Sequence, residues 1–152
     1  MLPIVGEKKI TNLYEKDFYA WTLLNAELLK QGNISEIDIE HIIEELESMG
    51  KSERRELTSR LIVLMMHLLK WKYQPERRGN SWRLTIEGQR EDLLELLKDS
   101  PSLKNEVAVR HEDAYRRAII DAAKQTGFSK KAFPSSCPFS IDQILDSEFW
   151  PD

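Results

Sequence analysis

The stretch LIVLMMHLLKWKYQP, residues 61–75, is the strongest indicator of fold class in this chain. Leucine recurs here at three- and four-residue spacing, and almost every position before Lys70 is apolar. A helix that is apolar nearly all round is buried at the centre of a helical protein. Pro75 ends the helix, because proline lacks the amide hydrogen and its ring clashes with the preceding turn. The stretch therefore predicts a central helix from about Glu53 to Tyr73.

Further segments on both sides of the central one repeat apolar residues with helical spacing. Their apolar stripes run over 14–28, 39–49, 82–97 and 107–122. The stripe before Gly50 is predicted to be buried and consists of Ile39, Ile42, Ile43, Leu46 and Met49. Gly50 is expected to interrupt the helix only slightly, because one interior glycine costs about 1 kcal/mol relative to alanine. The sequence thus predicts an all-α, single-domain bundle of four to five main helices around a central apolar helix.

The length of 152 residues fits one domain with a real core. We expect residues 1–152 to form a single helical domain, with residues 1–11 flexible. Residues 128–152 are expected to form an irregular C-terminal strap and a short final helix packed on the bundle, because Pro134 and Pro138 disfavour regular structure. Cys137 is the one cysteine, and the chain begins without a secretory signal, so a reducing cytoplasm is expected. No segment is long and apolar enough for a membrane span.

Charge is distributed unevenly along a chain whose net charge is −4. Six acids and no base lie between Glu36 and Glu47, whereas the segment from Lys70 to Arg83 carries five bases and one acid. The overall balance argues against a general nucleic-acid binder, whose domain is usually strongly basic. The two patches of opposite sign can either face each other or contact partners.

The basic segment interleaves its charges with aromatic rings and is the candidate partner surface, and three interpretations remain open. The rings can pack at the end of the bundle while the bases form ion pairs with the acids of residues 36–47. The surface can bind a protein through Trp and Arg anchors. It can also stack on the bases of single-stranded nucleic acid. The residues concerned are Trp71, Tyr73, Arg77, Arg78, Trp82 and Arg83.

Polar residues on apolar stripes supply the other candidate site. Arg90 lies on the inner stripe of its helix and needs a carboxylate if buried, so we predict a pair with Glu44 or Glu45. An alternative is an enzyme or ligand-binding protein with a polar pocket around Glu45, His67 and Arg90. The spacing of Asp38 and His41 suits a metal-binding bundle, but its counterpart on a second helix is missing. We therefore expect no catalytic residues, no metal and no cofactor.

The chain resembles an uncharacterised family of small bacterial proteins, largely cyanobacterial, catalogued as domain of unknown function twenty-nine. The resemblance rests on YEKDFYAW, EELESMGKSER, HLLKWKYQP, SPSL and FPSSCP, and it covers nearly everything from Tyr14 to Pro151. It implies a helical, single-domain, cytoplasmic protein and transfers no catalytic residue. The residues that match its recurring motifs are Asp17, Trp21, Glu45, Gly50, His67, Trp71, Trp82 and Arg90.

Taken together, these features favour a protein-binding or regulatory module that contacts another protein. Nucleic acid is a possible but less favoured partner, and a membrane is not expected. A small bundle can also self-associate, although the sequence has no exposed heptad repeat of the kind that drives coiled-coil pairing.

Overall fold

Six α-helices make up most of the chain in a computed structural model that describes residues 7–152, with side chains from residue 12 onward. No strand occurs in that range, so the predicted all-α class is confirmed. The chain divides into two compact units, Met1–Lys51 and Ser52–Asp152, and the prediction that it is one domain stays a prediction. The helices are α1 (Glu7–Lys16), α2 (Phe18–Lys30), α3 (Ile39–Tyr73), α4 (Asn80–Asp99), α5 (Leu103–Thr126) and α6 (Ile141–Leu145). Of the segment 1–11, expected to be flexible, residues 1–6 lie outside the described range.

The C-terminal part of α3 forms the hub of the unit Ser52–Asp152, as predicted. Its leucines are fully buried, and Ile86 and Leu93 of α4 pack with them in one apolar cluster. Small residues of α5, among them Ala114 and Ala118, join the same cluster and allow close helix packing. The fully buried leucines of α3 are Leu57, Leu61, Leu64, Leu68 and Leu69.

The segment after α5 is the predicted strap, and α6 is the predicted short final helix. Gly127 ends α5 with a φ of 77°, a conformation that glycine adopts without strain. The hydroxyl of Tyr115 donates a hydrogen bond to the carbonyl of Pro134 at 2.6 Å and ties the strap to α5. Ser140 and Gln143 cap α6 reciprocally. The strap therefore closes over the core through specific bonds as well as apolar contacts.

Gly50 does not break α3, which runs through 35 residues. The helix continues because five of the residues 51–56 are good helix formers, which outweigh the cost of one glycine. The expected near-continuity at this position is confirmed.

The unit Met1–Lys51 departs from prediction at the first helix. The stripe over 14–28 predicts one helix, but Asp17 separates α1 from α2. The side chain of Asp17 accepts a hydrogen bond from the amide of Ala20 at 3.0 Å, which makes it the N-cap of α2. Aspartate is among the strongest N-cap residues, so a new helix starts here despite the continuous apolar pattern. Leu24 and Leu28 form the small apolar core of this unit.

The predicted burial of the stripe over 39–49 is wrong. Ile42 is half-buried, while Leu46 is 61% exposed and Ile39, Ile43 and Met49 are also exposed. The spacing correctly identifies one apolar face of the helix. It cannot say whether another element covers that face, and no element in the described part of the chain covers most of it.

Candidate functional site

Exposed apolar side chains are concentrated in the unit Met1–Lys51. Of the thirteen large apolar side chains that are exposed in the described part of the chain, nine belong to this unit, which is about a third of the sequence. Single exposed apolar residues are normal on protein surfaces, but a contiguous group indicates an interaction site. The nine are Phe18, Tyr19, Leu23, Leu29, Ile34, Ile39, Ile43, Leu46 and Met49.

Part of this surface is concave. Side chains of α2 and of the N-terminal part of α3 line an open, shallow cleft of about 470 Å³, here called the apolar cleft. Its apolar walls are Phe18, Trp21 and Leu29 on α2 and Ile42, Leu46 and Met49 on α3. Both walls are helical, so the main-chain polar groups along them are already used in helix hydrogen bonds. The cleft therefore offers side-chain contacts to a partner.

A hydrogen-bonded network around Asp38 fixes the two walls. The indole Nε1 of Trp21 donates to Oδ2 of Asp38 at 2.9 Å, and Nδ1 of His41 donates to the same oxygen at 2.6 Å. The amide of Asp38 donates to Oδ1 of Asn25 at 2.8 Å. Asp38 is buried, and its donors come from both helices. The bond with Asp38 raises the pKa of His41 above its ordinary value.

Tyr14 joins the same network from α1. Its ring stacks on the imidazole of His41 with 3.9 Å between centroids, and its hydroxyl donates to Oε1 of Glu45. This hydrogen bond, together with desolvation, raises the pKa of Tyr14 to about 12, so the phenol remains protonated at neutral pH. Glu45, a predicted pocket residue, is thus held by a tyrosine. Glu44, its predicted alternative, is exposed.

Arg90 finds a different partner from the one predicted. The side chain is 1% exposed; its Nε donates to the carbonyl of Ile144 at 2.9 Å and Nη2 to that of Gln143 at 3.3 Å. Main-chain carbonyls in α6 therefore take the place of the carboxylate of Glu44 or Glu45. Carbonyls near a helix C-terminus lack partners within the helix and carry partial negative charge, which suits a buried guanidinium.

His67 and Cys137 lie in packed surroundings. Nδ1 of His67 donates to the carbonyl of Val63 at 2.8 Å, and burial lowers the pKa of His67. Burial raises the pKa of the Cys137 thiol to about 11, which suppresses the thiolate that a nucleophile needs. Among the side chains that the structure describes, no group of three or more His, Cys, Asp or Glu is arranged to hold a metal ion.

The aromatic rings of the basic segment mainly pack inside the unit Ser52–Asp152. Trp71 is buried against Trp150, with 4.8 Å between ring centroids. Tyr73 packs edge-on against Phe133, and Lys70 lies 4.6 Å above the ring of Trp82. Packing of the rings at the end of the bundle was one of the three interpretations that the sequence left open for this segment.

The bases of the segment differ in their contacts. Arg78 donates from Nε to the carbonyl of Trp71 at 2.6 Å, which ties the connector after α3 to the helix end. Arg83 is exposed and lies over the ring of Trp150 at 5.8 Å. Arg77 is exposed. Of the predicted surface residues, Arg77 and Arg83 are therefore the ones most available to solvent.

These features define an all-α protein whose acidic unit Met1–Lys51 contains an apolar cleft that the described residues leave open. The chain matches the family model described as domain of unknown function DUF29 over residues 13–150, and it belongs to that family. The resemblance seen in the sequence is thereby confirmed. No curated protein and no solved structure gives a significant match. Within the described part of the chain, no helix combines the length and hydropathy that crossing a membrane requires.

Proposed function

We propose that this protein is a protein-binding module and that the apolar cleft is its binding surface. The observation that carries the proposal is the concentration of nine exposed large apolar side chains on the 32 residues from Phe18 to Met49. Burying one such side chain contributes about 1.5–3 kcal/mol. Three or four side chains inserted together are sufficient to anchor a partner, since few residues usually dominate an interface.

The polar-pocket alternative receives less support from the contacts of its residues. Glu45 accepts from Tyr14, His67 donates to a main-chain carbonyl, and the guanidinium of Arg90 bonds to α6. Each of the three side chains thus makes at least one bond that stabilises local structure. An active-site acid or base would need access to a substrate.

The nucleic-acid alternative also receives less support. It relied on rings that stack on bases, and Trp71 is buried against another tryptophan. The large uncovered apolar surface lies instead beside acids, which repel a phosphate backbone.

Site-specific photocrosslinking tests the proposal. A photoreactive phenylalanine analogue replaces Leu46 in the full chain, and the matched control carries it at Leu84 of α4, which is 60% exposed against 61% for Leu46. We expect irradiation in native cells to give a defined protein adduct from position 46 and not from position 84. The absence of an adduct at position 46, or the same adducts from both positions, would contradict the proposal.

A further inference from the structure

The unit Ser52–Asp152 contains a cavity of about 550 Å³ between α4, α5 and α6, here called the α6 pocket. We infer that the α6 pocket binds a small amphipathic anion, a monocarboxylate with an apolar chain. The inference goes beyond the proposed function, because the α6 pocket and the apolar cleft share no residue. The volume of the pocket lies within the range of about 300–1,000 Å³ that is usual for small-molecule sites.

Three helices line the α6 pocket with apolar side chains. Leu97 of α4 and Val107 of α5 are buried and belong to the main core, whereas Leu94 of α4 is exposed. Ile141 and Leu145 of α6 are half-buried and pack against the same core. An apolar chain in the pocket would cover the accessible part of these side chains and remove it from water, which favours binding.

Two lysines line one end of the same pocket. Lys98 lies in the last turn of α4 and Lys104 in the first turn of α5, and residues 100–102 join the two helices. Neither lysine forms an ion pair with any residue that the structure describes. Two such cations beside apolar walls are complementary to a ligand with a negative head group and an apolar chain.

Asp142 limits the charge of that ligand. It lines the pocket from the first turn of α6, so two positive charges and one negative charge give the lining a net charge of +1. One carboxylate balances this charge. A phosphate dianion would be repelled by Asp142, and an uncharged head group would gain nothing from the lysines.

Contacts within the protein hold the α6 wall of the pocket in place. The buried guanidinium of Arg90 donates to the carbonyls of Ile144 and Gln143 at 2.9 and 3.3 Å. The side chain of Ile144 is buried in the core, and Ser140 caps the start of α6. A pocket that is already formed binds more tightly than one that the ligand must first order.

Titration of the isotope-labelled full chain, followed through its amide NMR shifts, tests the inference. The probes octanoate, octan-1-ol and octyl phosphate share one chain and differ in head group. We expect octanoate to bind at least about tenfold more tightly than octan-1-ol and to shift amides in residues 94–107 and 141–145. Hexanoate should bind about tenfold more weakly than octanoate, because each buried CH₂ group contributes about three- to fourfold in affinity.

Matched lysine variants locate the head group. The double change Lys98→Met and Lys104→Met keeps long apolar side chains and removes both charges, so it should weaken octanoate by about tenfold and leave octan-1-ol unchanged. The control is Lys124→Met with Lys130→Met, at exposed positions outside the pocket, which should alter neither affinity. Asp142→Asn should strengthen the binding of octyl phosphate more than that of octanoate, because the lost repulsion acts on a larger charge.

Four results would overturn the inference. Octanoate that does not saturate the protein, or that binds no more tightly than octan-1-ol, would remove the anion site. Octanoate binding that survives the double change at Lys98 and Lys104 would have the same meaning. Shifts confined to Met1–Lys51 would place the ligand outside the α6 pocket, and tighter binding of octyl phosphate would replace the carboxylate with a phosphate. Circular dichroism of each variant shows whether the fold is retained, so that loss of binding is distinguished from unfolding.

Discussion

Asp38 is the residue on which the candidate site depends. Its carboxylate accepts hydrogen bonds from Trp21 and His41, and its amide donates to Asn25. A buried carboxylate is stable only when such donors satisfy it. The sequence places Asp38 near His41 at a helical spacing, but it does not predict the indole of Trp21, because that contact requires α2 to turn back onto α3. The spacing within one helix could thus be predicted from the sequence, whereas the contact between α2 and the start of α3 could not.

Replacing Trp21 with phenylalanine tests this network. The change keeps an aromatic ring in the wall of the cleft but removes the donor to Asp38, so a buried acceptor loses one partner. We expect the free energy of unfolding in urea to fall by about 1–3 kcal/mol. Trp82→Phe is the control, because no hydrogen bond from its indole occurs among the described residues. An equal loss in the two variants would contradict the role of the Trp21 indole.

The pair of His41 and Asp38 should make stability depend on pH. Hydrogen bonding to Asp38 raises the pKa of His41 above its ordinary value of 6.5, so the folded chain binds a proton more tightly than the unfolded chain. The resulting stabilisation is fully present below pH 6.5 and is lost as the pH rises through the raised pKa. The difference in unfolding free energy between wild type and His41→Asn should therefore shrink with rising pH. A difference that grows over that range would contradict this assignment.

At the scale of the element, α3 contains two stretches with nearly the same apolar periodicity and opposite environments. Residues 61–69 were correctly predicted as the hub, because a helix apolar on nearly all sides has no stable solvent-facing side. The stripe over 39–49 occupies one face only, and its burial depends on an element that periodicity does not reveal. The partners of Arg90, the carbonyls of Ile144 and Gln143, could not be predicted either, because every residue has a main-chain carbonyl and the sequence does not mark which one is near.

One substitution made in both stretches of α3 measures this difference. Leu64→Ala removes a fully buried side chain and should lower the free energy of unfolding by about 2–5 kcal/mol. Leu46→Ala shortens an exposed side chain and should change it by no more than about 0.5 kcal/mol. Urea unfolding followed by circular dichroism gives both values. Comparable losses would show that Leu46 is buried in solution.

At the scale of the whole molecule, the chain consists of two compact units with separate apolar cores and different charges. The unit Ser52–Asp152 is nearly neutral, and its candidate surface rings are largely internal. The unit Met1–Lys51 is acidic and carries most of the exposed apolar surface. The sequence shows the acids of residues 36–47 and the apolar spacing of residues 39–49, but it does not show which face of the helix is exposed. Only the structure shows that much of the apolar face of residues 39–49 stays exposed and that part of it lines an open cleft, so the proposed binding surface moves from the basic segment to the acidic unit.

Hydrogen–deuterium exchange of the full chain, with and without the protein that crosslinks at position 46, is the sharpest test of the apolar cleft as a binding surface. A protein bound in the apolar cleft should slow exchange in α2 and in residues 39–50, because opening of those helices would require release of the partner. The rest of α3 and the helices α4 and α5 should exchange as in the free protein. Slowing confined to Ser52–Asp152, or no slowing while the partner is bound, would contradict the binding role of the apolar cleft.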